Sequence, residues 1–225
     1  MDIGSALSDS LEYAKDAVWG KWVRWILLLV SSIIFPLILG YLLEVLRGKK
    51  PAPELANWGT LFIDGIKLFI IGLIYLIPTA IVGVVFIGLP LLSSFPAGMM
   101  GYHTGLLANW KVLVFGACLT ALVTFIVGLV EVGGVVRFAR KGGMGEAFNF
   151  GGIFADIGKI GWGFYILALI VLAIVVIIIR AILTFIPVIG WFLAFIATPP
   201  LAIFATRYMD LLFGDVPQAP APPAP

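Results

Sequence analysis

The chain is poor in the residues that usually carry chemistry. It has one cysteine, one histidine, 14 Lys or Arg and 12 Asp or Glu in 225 residues. A single cysteine, Cys118, excludes an intrachain disulfide and leaves the redox compartment unread. It lies in an apolar run with no base near it in sequence, so a small core residue is the expectation rather than a nucleophile. A metal site recruits several His, Cys or carboxylate side chains. The loop around His103 offers none, so no metal or other cofactor is expected. A net charge of +2 makes no electrostatic case for nucleic acid. No Gly-rich phosphate loop or nucleophile elbow occurs, and no enzymatic activity is expected. Transmembrane strands need alternating polarity over about ten residues. That pattern is absent too, which excludes a barrel.

What the chain does have is apolar length. Trp22 to Leu212 is nearly unbroken, cut by two short basic loops. Hydrophobic residues make up 62% and mean hydropathy is +1.14, whereas soluble domains are about half apolar. Leu68–Pro90, Val112–Val130 and Trp162–Ile179 are each close to the ~20 residues that cross a hydrocarbon core. Backbone in lipid must satisfy itself, and with barrels excluded that leaves helices. The expected fold is all-α: a polytopic helical membrane protein with four to six membrane helices. Its expected place is the cell membrane, multi-pass, with the lipid bilayer as its first partner. Residues 1–212 read as one membrane domain, and 213–225 as a disordered Pro/Ala-rich tail. The N-terminus does not read as a signal peptide, because Asp2, Asp9, Glu12 and Asp16 precede the apolar run.

Residues 3–18 read as an amphipathic helix. Ile3, Leu7, Leu11, Ala14 and Val18 share one face, and Asp9, Glu12, Lys15 and Asp16 take the other. Trp19, Trp22 and Trp25 then mark entry into lipid. The first apolar segment, Val23–Leu46, carries Pro36 and Gly40 near its centre. It is either one kinked span or a hairpin that dips in and returns. Segments Trp162–Leu183 and Val188–Leu212 are joined by a Pro/Gly turn too short for anything but a tight hairpin.

Two basic loops carry the same signal. Asn57-Trp58-Gly59-Thr60-Leu61-Phe62-Ile63-Asp64-Gly65-Ile66-Lys67 matches Asn149-Phe150-Gly151-Gly152-Ile153-Phe154-Ala155-Asp156-Ile157-Gly158-Lys159 at a constant offset of 92. A fixed offset is the mark of an internal repeat. Asn57 and Asn149 can cap a helix. Trp58 and Phe62, like Phe150 and Phe154, share one face. Asp64/Lys67 and Asp156/Lys159 are i,i+3 neighbours. Each motif is expected to be a short interfacial helix turning at its Lys into a span. A basic cluster precedes each: Arg47-Gly48-Lys49-Lys50, and Arg137 with Arg140-Lys141. The expected pseudo-repeats, each an interfacial helix plus a helical hairpin, are 1–50 (degenerate), 51–141 and 142–212. The positive-inside rule puts the basic loops in the cytoplasm and residues 91–110 and 184–190 outside.

Gly40-Tyr41-Leu42-Leu43-Glu44-Val45-Leu46-Arg47-Gly48, followed by Trp58, Asp64-Gly65 and Lys67, resembles the domain-of-unknown-function 4013 family of mostly archaeal integral membrane proteins. Arg137-Phe138-Ala139 and Ala147-Phe148-Asn149-Phe150 fit the same family. The resemblance covers roughly Tyr13 to Leu212. It implies membrane class and repeat architecture and carries over no catalytic residue.

Charge inside the membrane is a usual sign of function. Arg180 and Glu131 are the candidates, and both sit near segment ends, within snorkelling reach of the headgroups. Glu44 and Arg47 read as a solvated pair at a helix end. Two function classes follow. One is a structural, scaffold or accessory subunit, as a homo-oligomer or with a membrane-complex partner. The other is a transporter or channel for a small or amphiphilic solute, suggested by repeats and Pro-broken helices.

Overall fold

A computed structural model describes residues 2–92 and 104–214, with only the backbone of 104–109. The expected mobile tail and the neutral connection fall largely outside the described residues.

Two helix breaks lie at prolines, whereas the helix over Trp58–Gly83 runs on through Pro78. Helix α1 (Ile3–Val18) leads into α2 (Trp22–Ile33) and α3 (Phe35–Leu46), which break at Ile34. Pro36 has no N–H to give the carbonyl of Ser32, which favours the break there. The chain then doubles back. Arg24, early in α2, donates to the Ala52 carbonyl at 3.4 Å and faces Glu54 at 3.6 Å, both beyond the end of α3. Each arm has 12 residues, about 18 Å at 1.5 Å per residue, short of a ~30 Å core.

Helix α4 (Trp58–Gly83) continues through a π turn (Val84–Gly88) to Leu92. Helix α5 (Thr104–Lys141) is the longest. A 3₁₀ turn (Met144–Phe148), α6 (Phe150–Ile160), α7 (Trp162–Thr184), α8 (Gly190–Ile196) and α9 (Thr198–Leu212) complete the chain. Helices α8 and α9 meet at 48° just before Pro199 and Pro200. Trp58–Leu92, Trp110–Lys141 and Trp162–Thr184 are long and apolar enough to cross a membrane, and the bent pair α8–α9 makes a fourth if it is one span. The protein is all-helical among the described residues, compatible with a polytopic membrane protein.

The contacts divide into two units. One joins Met1–Ile70 with Val132–Pro225; the other is Ile71–Glu131. The second pairs the later part of α4 with the earlier part of α5. A side chain at Gly116 would run into the Phe86 carbonyl, and Phe86 meets Phe115 edge-on with centroids 5.8 Å apart. Cys118 is exposed on this unit, not a core residue as its neighbours in sequence suggested. Exposure here costs nothing where lipid is the solvent, because lipid tails are as apolar as the side chains.

The core of the first unit is built on α1. It packs along α9, with Ala6, Tyr13, Ala14 and Ala17 buried among Leu201, Ile203, Phe204 and Tyr208. Its small residues let the helix axes approach closely. Helix α3 crosses α4 as tightly: a Cβ at Gly40 would collide with the Leu61 carbonyl, and one at Gly65 with the Pro36 carbonyl.

Candidate functional site

The two Asn-to-Lys motifs do not fold alike. The second forms its own helix, α6, ended by Gly161 at φ +93 before α7 begins. The first runs straight on as α4, so the expected turn at Lys67 is absent. The cause is one residue. Ninety-two positions before Gly161 stands Phe69, and a side chain there disfavours a left-handed turn. Asn149 caps as expected, accepting from the Gly152 N–H at 3.0 Å. Asn57 sits at φ +55, and its carbonyl accepts from the Thr60 hydroxyl at 2.8 Å. Leu61, Ile153 and Ile157 face the core, while Trp58, Phe62, Phe150 and Phe154 are exposed on the apolar surface. Phe154 leans on Trp162 at 5.8 Å.

The motif carboxylates face an arginine each. Asp64 accepts from Arg47 at 2.8 Å and from its own Lys67 at 3.0 Å. Asp156 accepts from Arg137, and from Lys159 at 3.3 Å. Both arginines sit at the end of the preceding helix, α3 or α5. Glu44 binds Arg47 and Lys49 with only 17% of its side chain exposed, so this is not the solvated pair expected. Glu146 adds a second carboxylate to Arg137 at 2.6 Å.

A third such pair was not read from the sequence. Asp9 accepts from Arg207 at 3.1 Å and from Lys50 at 3.2 Å. Asp9 is the seventh residue of α1, as Asp64 is of α4 and Asp156 of α6. Arg207 lies at the end of α9 as Arg137 lies at the end of α5. Asp210, three residues on, accepts from Arg140 at 2.7 Å and from Arg207 at 2.5 Å. The result is a chain of alternating charge, Arg140–Asp210–Arg207–Asp9–Lys50. Its first three members are almost fully buried. Backbone acceptors extend it. Arg47 donates to the Ala139 carbonyl at 3.3 Å, and Arg140 to the carbonyls of Asp210 and Phe213. Tyr13 donates to the Lys49 carbonyl at 2.8 Å, and its ring lies 5.1 Å under the Arg207 guanidinium. The ends of α3, α5 and α9 are thereby tied to one another and to α1.

Charge alternation is what allows this burial. Buried charge is stable only when paired and hydrogen-bonded.

The family model described as "Protein of unknown function (DUF4013)" matches residues 25–188, most of the chain. The chain belongs to this family. No curated protein and no solved structure matches the chain. As a DUF4013 member with long apolar helices, it is an integral membrane protein of unknown activity. The DUF4013 match takes in Arg47, Asp64, Arg137 and Asp156. Asp9, Arg207 and Asp210 lie beyond it.

Arg137 donates to Glu146 and thereby holds its carboxyl below the usual range. Burial pushes Asp9 upward, but hydrogen bonds from Arg207 and Lys50 outweigh it and the net shift is downward. A carboxylate lowered in the folded state adds stability above its unfolded pKa and loses it as pH falls through the folded value. Thermal stability in detergent should therefore hold steady down to about pH 4, the ordinary carboxylate range, and decline below it. Arg137→Gln should start lower and decline less. Parallel acid curves for the two proteins would contradict the assignment.

Among the described residues no three His, Cys, Asp or Glu side chains converge as metal ligands would. Arg180 is exposed on α7. Glu131 is half-buried, opposite Gly72, in the second unit.

Proposed function

We propose that this DUF4013 protein is a non-enzymatic structural or accessory subunit, embedded in the cell membrane by three repeated units. The observation that carries this reading is where the charge lies. The stretches 68–92, 112–130 and 162–179 contain no Asp, Glu, Lys or Arg. The deeply buried charges instead neutralise one another at the helix ends. A transport path normally keeps ionisable groups or unsatisfied polar groups at membrane depth. Here the buried charges pair with one another, and such a network fixes geometry; the hydroxyls of Tyr41 and Thr120 are buried without a hydrogen bond among the described residues.

Three features support a repeat of 1–50, 51–141 and 142–212. The shared position of Asp9, Asp64 and Asp156 is the first. The second is the register of the helix ends, in which Pro36, Leu129 and Pro199 correspond. Helices α3 and α9 begin at their prolines, whereas α5 runs unbroken through its leucine. The third is a matched close contact. Gly40 meets Leu61, and Gly133 meets Ile153. The corresponding pair, Ile203 and Ala6, exchanges large and small and is buried in one cluster. In this reading α1 belongs to the first unit and is an amphipathic interfacial helix, and the basic helix ends face the cytoplasm.

The second reading, a transporter or channel, is favoured by the broken helices and by Glu131. Native gels of gently solubilised membranes should place the protein in an assembly well above its 24.3 kDa monomer. Vesicles carrying the purified protein should pass ions and small amphiphiles no faster than empty ones. A monomeric protein that releases a solute, and loses that activity in Glu131→Gln, would overturn the structural reading.

A further inference from the structure

One groove of the first unit is not absorbed by the charge network. It is a cleft of about 480 Å³ along α1, walled by Leu11 and Val18 of α1, Val175 and Ile179 of α7, and Leu201 and Phe204 of α9. Almost all its surface is apolar. Its rim carries Lys15 and the indoles of Trp19 and Trp25.

Lys15 is unlike the other lysines. Lys49, Lys50, Lys67, Lys141 and Lys159 each face a carboxylate. Lys21 donates to the Asp16 carbonyl, and Lys111 lies over the Trp110 ring. Lys15 alone has no partner among the described residues, and no acidic residue lines the groove beside it. The nearby Glu12 and Asp16 line a separate cleft of about 250 Å³, together with Lys21 and Lys50. Trp19 and Trp22 are 69% and 66% exposed next to this rim. Indoles favour the headgroup level of a membrane. An apolar slot that opens at that level, with one unpaired cation at its mouth, has the two features an anionic lipid recognises: a tail site and a site for its net negative charge.

We propose that this groove holds one tail of an anionic phospholipid, with the net negative charge of its headgroup beside Lys15. The site does not depend on whether the protein is a scaffold or a transporter. It selects headgroup charge through Lys15 and accepts any tail that fits. One lysine near an anionic headgroup changes affinity about fivefold, which sets the size of the selectivity.

Native mass spectrometry of the purified full-length protein tests this. Phosphatidylglycerol and phosphatidylcholine with identical tails serve as probes. The wild-type protein should retain one phosphatidylglycerol about fivefold better than phosphatidylcholine. Lys15→Gln should lower phosphatidylglycerol to the phosphatidylcholine level and leave phosphatidylcholine unchanged. Leu11→Trp, on an exposed position of the groove wall, should reduce retention of both. Thermal midpoints matching wild type show that the variants are folded; Leu11→Phe replaces any that is not. Equal retention of the two lipids by wild type overturns the proposal. So does a preference that survives Lys15→Gln. A Leu11→Trp protein that changes its oligomeric mass and not its lipid occupancy would show that the groove receives a second protein chain, and overturns it equally.

Discussion

Asp210→Ala is expected to cost about 3–5 kcal/mol of stability, as when one partner of a buried ion pair is removed. The side chains of Arg140, Arg207 and Asp210 are 2%, 4% and 5% exposed. Removing the carboxylate leaves two guanidiniums facing each other away from water. Arg207 keeps Asp9 at 3.1 Å, and Arg140 keeps the carbonyls of Asp210 and Phe213. Equilibrium unfolding in mixed detergent micelles reads the loss. Glu54→Ala is the control. Glu54 also pairs with an arginine, Arg24, but is 84% exposed, and exposed pairs contribute roughly 0–1 kcal/mol. If both variants lose the same small amount, the buried chain is no stronger than a surface pair. Arg140→Met in the Asp210→Ala background should recover part of the loss, because one of the two buried cations is then gone as well.

Gly40→Leu should abolish folding, and Gly40→Ala alone should cost about 3 kcal/mol, the upper end of ordinary overpacking. The added atom would strike the Leu61 carbonyl, and backbone inside a helix cannot move aside as a side chain does. Gly65→Ala meets the Pro36 carbonyl on the same crossing and should behave alike. Gly158→Ala is the internal comparison. It lies in α6 with open space around it. There the loss of backbone freedom in the unfolded chain favours alanine, for a gain of about 0.5–1 kcal/mol. Proteolysis of the purified variants separates the cases. A Gly40→Ala protein as resistant as Gly158→Ala would mean that α3 and α4 do not cross at these glycines.

The membrane class, the long apolar helices and the two basic helix ends were legible because each rests on composition over many residues. The break near Pro36 was legible as well, since proline acts locally, whereas 188–212 read as one segment and the bend before Pro199 did not show. What escaped reading depended on partners distant in sequence. Asp2-Ile3-Gly4-Ser5-Ala6-Leu7-Ser8-Asp9 has the spacing of the other two motifs. Its aromatics have become small or aliphatic, and Glu12 stands where Lys67 and Lys159 stand, so likeness by residue type fails. Lys50, from another loop, supplies the missing ammonium. The face of α1 that packs on α9 carries Ala6, Ser10, Tyr13, Ala14 and Ala17, mostly small residues. Leu7 and Leu11, which stand out in the apolar pattern, line the groove. Arg207 and Asp210 are i,i+3 neighbours near the end of a helix, a spacing that by itself points to no site. Only their approach to Asp9 and Arg140 gives them their part in the site. The failure at Lys67 was the opposite case. A single local difference, Phe69 in place of glycine, outweighed the shared Asn, aromatic, Gly, aliphatic, Phe, Asp and Lys of the two motifs.

The pairing of α1 with α9 sets an order of events during synthesis. Asp9 and Arg207 are 198 residues apart, so α1 leaves the ribosome long before its partner exists. At 5–20 residues per second, the delay is roughly 10–40 s. Throughout that interval the small-residue face of α1 has no helix to meet. Its leucine face can rest on lipid meanwhile, which keeps the segment at the membrane surface instead of in bulk water. Arrival of α9 then converts a peripheral helix into a clasp. A nascent chain arrested before residue 198 should leave α1 open to protease, and one carried past residue 214 should protect it.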